Sequence, residues 1–153
     1  MMKYQNFICK KLINIYFKKH FSNQKAFYSV VDIERYLFFF KRYTALFYTE
    51  TDIETEIKNA LKDLLEAEFK ITIHTCRCDF SNMRQGKIKI DLITKNDNLL
   101  VGKFGQNQKS LRDFLSKAVA FKFKKKCEII LNFPKYQKSN SLPFKKKFFS
   151  KSE

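Results

Sequence analysis

Between residues 51 and 134 the hydrophobic positions follow two periods. Ile53, Ile57, Leu61, Leu64 and Leu65 recur at the spacing of one buried helix face, with Thr51 and Glu54 at the head of the run as a capping-box pair. The period then shortens to two. Phe69, Ile71 and Ile73 alternate with Lys70, Thr72 and His74, and Ile88, Ile90 and Leu92 alternate with Lys87, Lys89 and Asp91. This alternation predicts two half-buried strands joined by a hairpin loop over Asp79 to Gly86. A second helical stripe follows in Leu111, Leu115, Ala118 and Val119, with Phe114 and Phe121 beside it, and should end near Lys125. Cys127 to Phe133 reads as a last strand, stopped by Pro134.

Upstream, the segment from Val30 to Tyr48 is rich in Leu, Phe and Tyr, and Ser29 with Asp32 makes a capping pair at its head. It predicts a helix that packs its Phe face on the domain or on a partner. Asp32, Glu34, Arg35, Lys41 and Arg42 interrupt it, so it does not read as a membrane span. Residues 1 to 31 contain no Asp or Glu but carry Lys3, Lys10, Lys11, Lys18, Lys19 and Lys25. Such a stretch suits an organelle transit peptide or an arm that lies along RNA. The apolar run Leu12 to Phe17 is too short for a secretory signal. The chain therefore divides into a basic arm and Phe-rich helix over 1–50, a folded domain over 51–134 and a basic tail over 135–153.

Two of the chain's three glycines stand in the stretch Leu99 to Gln106, as Gly102-Lys103-Phe104-Gly105. Glycine is needed where the backbone takes positive φ or where a ligand must approach the main chain closely. A helix beginning at Gln106 would direct its free N–H groups and the positive end of its dipole out of this turn, and Lys103 adds a full charge.

Helix, strand, strand, a short apolar turn with Gly-x-x-Gly, helix and strand, in this order, resemble the type II KH domain, an RNA- or single-stranded-DNA-binding module. Val101-Gly102-Lys103-Phe104-Gly105 followed by Leu111 is similar to its motif, whereas Gln108 stands where the family usually has Ile, Leu or Val. The resemblance implies an α+β fold with the order helix-strand-strand-helix-helix-strand, and a three-stranded sheet with helices on one face. Gly102, Lys103, Phe104, Gly105 and Gln106 would clamp the backbone of about four nucleotides. Lys103, Lys109 and Arg112 would neutralise phosphates, Phe104 would either stack on a base or sugar or pack in the core or on a partner, and bases would lie between the flanking helices and the edge of the strand bearing Lys87 and Lys89.

Two KH families compete. Residues 30 to 134, with a basic arm and helices ahead of the KH part, resemble the N-terminal part of the small-subunit ribosomal protein S three family. A split or shortened organellar version would account for a chain without that family's second domain. Leu131 to Lys138 looks like the corresponding segment of the Jag family of bacterial RNA-binding proteins. The basic extensions favour the ribosomal resemblance, because RNA and protein neighbours would surround them. It implies a structural component of the small ribosomal subunit in the mitochondrial matrix, with ribosomal RNA and neighbouring ribosomal proteins as partners. A free Jag-like regulator in a bacterial-type cytoplasm is the alternative, ahead of an accessory subunit of an RNA-processing enzyme.

Charge agrees with a polyanionic partner: 31 Lys and Arg against 15 Asp and Glu give a net charge of +16. A mean hydropathy of -0.41 speaks against a membrane protein, and nothing in the pattern demands an obligate homo-oligomer. The 18 Phe, the many Lys, Ile and Asn, and the lack of Trp are what codons made mainly of A and U encode, as in an organelle's genome. Cys9, Cys76, Cys78 and Cys127 are too few for a disulfide scaffold. His74, Cys76 and Cys78 at alternate positions invite a zinc site, with Cys127 on a neighbouring strand, but a second well-spaced pair of ligands is missing, so no metal or other cofactor is expected. No Gly-x-x-x-x-Gly-Lys run exists and neither histidine has a nucleophile partner. Asp52, Glu54, Glu56, Asp63, Glu66 and Glu68 fit the solvated face of a helix, so enzymatic activity is not expected.

Overall fold

The computed structural model describes residues 2–22, 25–36 and 40–136. The fold is α+β, with two three-stranded sheets. The first sheet holds β1 (Lys3–Phe7), β2 (Ala26–Tyr36) and β3 (Phe40–Thr49) in the order β1-β3-β2, all antiparallel to their neighbours, and α1 (Lys10–Phe21) connects β1 to β2. The helix expected over Val30 to Tyr48 is thus a pair of strands, apart from residues 37–39, which lie outside the described residues together with the tail from residue 137.

The physical reason lies in β3. Ala45, Leu46, Phe47 and Tyr48 are all fully buried although neighbouring residues of a strand face opposite ways. Ala45 and Phe47 face α1, where Phe7, Ile13, Tyr16, Phe17 and Phe21 surround them; Leu46 and Tyr48 join the larger core of the downstream helices. A strand covered on both faces reads as an unbroken apolar run without a period of two. Ser29, expected as a helix cap, sits in β2 and shares a 3.0 Å hydrogen bond with the buried Tyr48 hydroxyl.

Thr49, not Thr51, caps α2 (Glu50–Leu61): the Asp52 N–H donates to Thr49 Oγ1 at 3.3 Å, and the Thr49 N–H donates to Asp52 Oδ2 at 2.8 Å. The helix widens into a π-helical turn over Lys62–Glu68, and Lys70 then takes a left-handed conformation with φ 56°. These turns occupy the start of the expected first strand. β4 therefore begins only at Ile73 and runs to Asp79, leaving Phe69 exposed and Ile71 buried.

β5 (Lys87–Thr94) pairs antiparallel with β4 and parallel with β6 (Glu128–Asn132), giving the order β4-β5-β6. Between β5 and β6 lie α3 (Asp97–Val101), the Gly102–Gly105 turn and α4 (Gln106–Phe123), which stops two residues short of the expected end because Lys124 turns left-handed at φ 52°. Residues 50–132 thus follow the expected order of helix-strand-strand-helix-helix-strand. Ile53, Ile57 and Leu61 of α2 and Leu111, Leu115, Val119 and Phe123 of α4 meet Ile88, Ile90 and Leu92 of β5 and Ile129 and Leu131 of β6. Each such side chain contributes roughly 1.5–3 kcal/mol on leaving water. No helix among the described residues is long and apolar enough to cross a membrane.

Candidate nucleic-acid interface

The approach to the turn is fixed from below. The Asp97 carboxylate accepts from the Thr94 N–H at 2.7 Å and from the Thr94 hydroxyl at 2.8 Å, which locks the entry into α3. Leu100 and Val101 are buried, and the chain leaves α3 through Gly102 at φ 70°, ψ 176°, a region essentially restricted to glycine. A Cβ there would lie 2.7 Å from Asn107 Cγ. The Asn107 side chain fills that space because its Nδ2 donates to the Leu99 carbonyl at 2.8 Å, latching the head of α4 to α3 across the turn.

Within the turn the Gly105 N–H donates to the Gly102 carbonyl at 3.3 Å, and both Phe104 and Gly105 are left-handed, at φ 55° and 75°. This geometry pushes the Phe104 side chain into water, 91% exposed, with Lys103 Nζ 5.4 Å from its ring centre. Phe104 is therefore no part of the core. α4 then begins with no side-chain cap and no acidic residue in its first turn. Its leading N–H groups and the positive end of its dipole stand beside the exposed ammonium of Lys103, an arrangement suited to an anion.

Gln108, polar where the expected motif has an aliphatic residue, is held by a hydrogen bond. Its Nε2 donates to the Leu131 carbonyl at 2.5 Å, tying α4 to β6. Lys109 is exposed on the same helix, and Arg112 lies 3.8 Å from Asp113, which offsets part of its charge.

Lys87 and Lys89 are not brought to this turn. β5 is the central strand, flanked on both sides, so it offers no edge to a ligand; the free edge beside α4 belongs to β6. Both lysines alternate with the buried Ile88 and Ile90 and so occupy the face of the sheet away from the helices. They also stand at the start of β5, whereas the turn follows its end, and they face carboxylates: Lys87 lies 3.4 Å from Glu128 and Lys89 3.9 Å from Asp91. The candidate site thus gathers Gly102 to Gln106 with Lys109 and Arg112, and excludes the two strand lysines.

Asn107 escaped the sequence reading, which noted Gln108 only as a departure from the motif, because neither apolar periodicity nor charge marks the two residues that hold the site together. An apolar hollow of about 450 Å³ on the α2 side of α4, walled by Phe69, Leu99 and Phe114 among others, was likewise unforeseen. The strand beginning at Ile73 is bulged between Ile73 and Thr75, so His74 leaves the face shared by Cys76 and Cys78 and is exposed. Cys78 hydrogen-bonds to Cys76, which pushes the Cys78 thiol up and the Cys76 thiol down from their ordinary range. Among the described residues no three His, Cys, Asp or Glu side chains are grouped to hold a metal ion. Comparison with protein-family models and with curated proteins finds no match for this chain.

Proposed function

We propose that this protein is a KH-type RNA-binding component of a small ribosomal subunit of the mitochondrial kind, acting without chemistry of its own. The observation that carries the reading is the Gly102–Gly105 turn at the uncapped head of α4, with Lys103 and Phe104 exposed on it. Backbone N–H groups and a lysine take phosphates, a ring takes a base or sugar, and the glycines let the strand approach the main chain. The order α2-β4-β5-α3-α4-β6 supports the type II KH arrangement. Beyond it, the basic helix α1, which presents Lys10, Lys11, Lys18 and Lys19 to solvent, suits a neighbour made of RNA.

The test is sedimentation of the native protein from a gentle lysate through a sucrose gradient, at moderate and then high salt, with a nuclease-treated control. Co-migration with the small ribosomal subunit at both salts is expected. Migration as a small species at either salt would overturn the ribosomal part and favour a free RNA-binding regulator.

A further inference from the structure

We infer that the exposed stripe Phe114–Lys117–Phe121–Lys124 of α4 is a stacking track along which a single-stranded nucleic acid continues from the turn. The inference rests on the RNA-binding reading of that turn and extends it to a second surface.

Residues at i, i+3, i+7 and i+10 fall on one face of a helix. Traced back toward the turn, that face passes through Ser110 to Asn107, the residue latched across Gly102. At 1.5 Å of rise per residue, the distance from Asn107 to Lys124 is roughly 25 Å. The buried face of α4 is a different one, formed by Leu111, Leu115, Val119 and Phe123, and of the stripe only Phe114 reaches an apolar neighbourhood, at the wall of the hollow beside α2. Phe114 is 41% exposed and Phe121 76% exposed. Phe121 thus stands largely in water and Phe114 partly so, although burying them would stabilise the fold.

What they are held for follows from the residues between them. Beyond the hollow that Phe114 borders, a face that docks on a protein through apolar contact would carry apolar side chains at successive turns, whereas here each ring is followed by an exposed lysine. Rings separated by cations match a strand whose flat bases alternate with phosphates. Lys124 Nζ sits 4.6 Å from the centre of the Phe121 ring, so a cation is held at one side of the ring and the other remains open to a base. The left-handed Lys124 ends the helix, and Lys125 and Lys126 follow it, so positive charge continues where the track leaves α4.

Carboxylates do not cancel this charge. Asp113, the acidic residue of α4, faces Arg112, and Glu56 of α2 faces Lys122, which leaves Lys117 and Lys124 without a carboxylate partner among the described residues.

The experiment measures fluorescence anisotropy of the full chain with labelled oligouridines of about four nucleotides, the length a KH turn clamps, and of about twelve. The wild type should bind the longer strand more tightly. Phe114→Ala with Phe121→Ala should weaken the longer strand about thirtyfold or more and leave the shorter one within about twofold, as loss of two stacking rings alone requires. Lys117→Gln with Lys124→Gln, which leaves the rings in place, should lower the log-log salt slope for the longer strand by about 1.4. The track is overturned if the Phe pair binds the longer strand as the wild type does, or if the wild type gains nothing from length. Lys103→Asp with Phe104→Asp separates the two claims: unchanged binding of the short strand by this variant overturns the turn itself, whereas loss of short-strand binding with a normal Phe pair overturns the track alone.

Discussion

In the N-terminal sheet the rings turn inward: Phe7 and Phe47 are buried, and Tyr16, Phe17, Phe21 and Tyr28 stack around Phe47 at centroid distances of 5.2 to 6.2 Å. In the unit built on α2 and α4 the core is aliphatic, apart from Phe123, Phe133 and Tyr48, and Phe69, Phe104, Phe114 and Phe121 are exposed. The same side chain therefore supplies cohesion in one region and contact surface in the other. Backbone geometry makes the difference. A central strand covered on both faces encloses its rings, whereas left-handed turns at Lys70 and Phe104 and the outer face of α4 present theirs to solvent.

The contrast is broken most severely at Phe47. Phe47→Ala should cost about 3–5 kcal/mol in urea denaturation, because several rings lose their common partner at once. A loss below about 1 kcal/mol would mean that the stack is not the core of this sheet. Next comes the buried polar contact between β2 and β3. Ser29→Ala removes a partner of the buried Tyr48 hydroxyl and should cost about 1–3 kcal/mol, largely recovered when Tyr48→Phe is added. Burial raises the pKa of the Tyr48 phenol and the Ser29 hydrogen bond lowers it, so Ser29→Ala should move the phenol's titration, followed by ultraviolet absorbance, further upward. The smallest change is expected at Phe104, where Phe104→Ala should leave stability within about 0.5 kcal/mol while weakening RNA binding. A larger loss of stability would place the ring in packing rather than recognition.

Legibility in the sequence followed the same division. The aliphatic stripe Ile53–Ile57–Leu61, the alternation Ile88–Ile90–Leu92 and the stripe Leu111–Leu115–Val119 each had one dry face, so period identified element and facing together. β3 had two dry faces and no period, and its run of aromatics read as a helix. Phe69-Lys70-Ile71 mimicked a strand because a π-helical turn and a left-handed lysine have no periodicity of their own. At the candidate site the glycines marked the turn, but the placement of Lys87 and Lys89 depended on which strand lies at the centre of the sheet. That is a property of pairing between distant residues, as is the bond from Gln108 to Leu131.

All three glycines of the chain stand at positive φ, and so do Lys70, Phe104 and Lys124. Each of these side-chain-bearing residues adds local backbone strain, on the order of 1–2 kcal/mol for a left-handed residue with a Cβ. At Phe104 and Lys124 it also sets a ring or a cation at the rim of the proposed binding surface. Local tension is thereby stored at three corners that carry side chains, and at two of them the strained residue supplies the group that the proposed surface offers to a ligand.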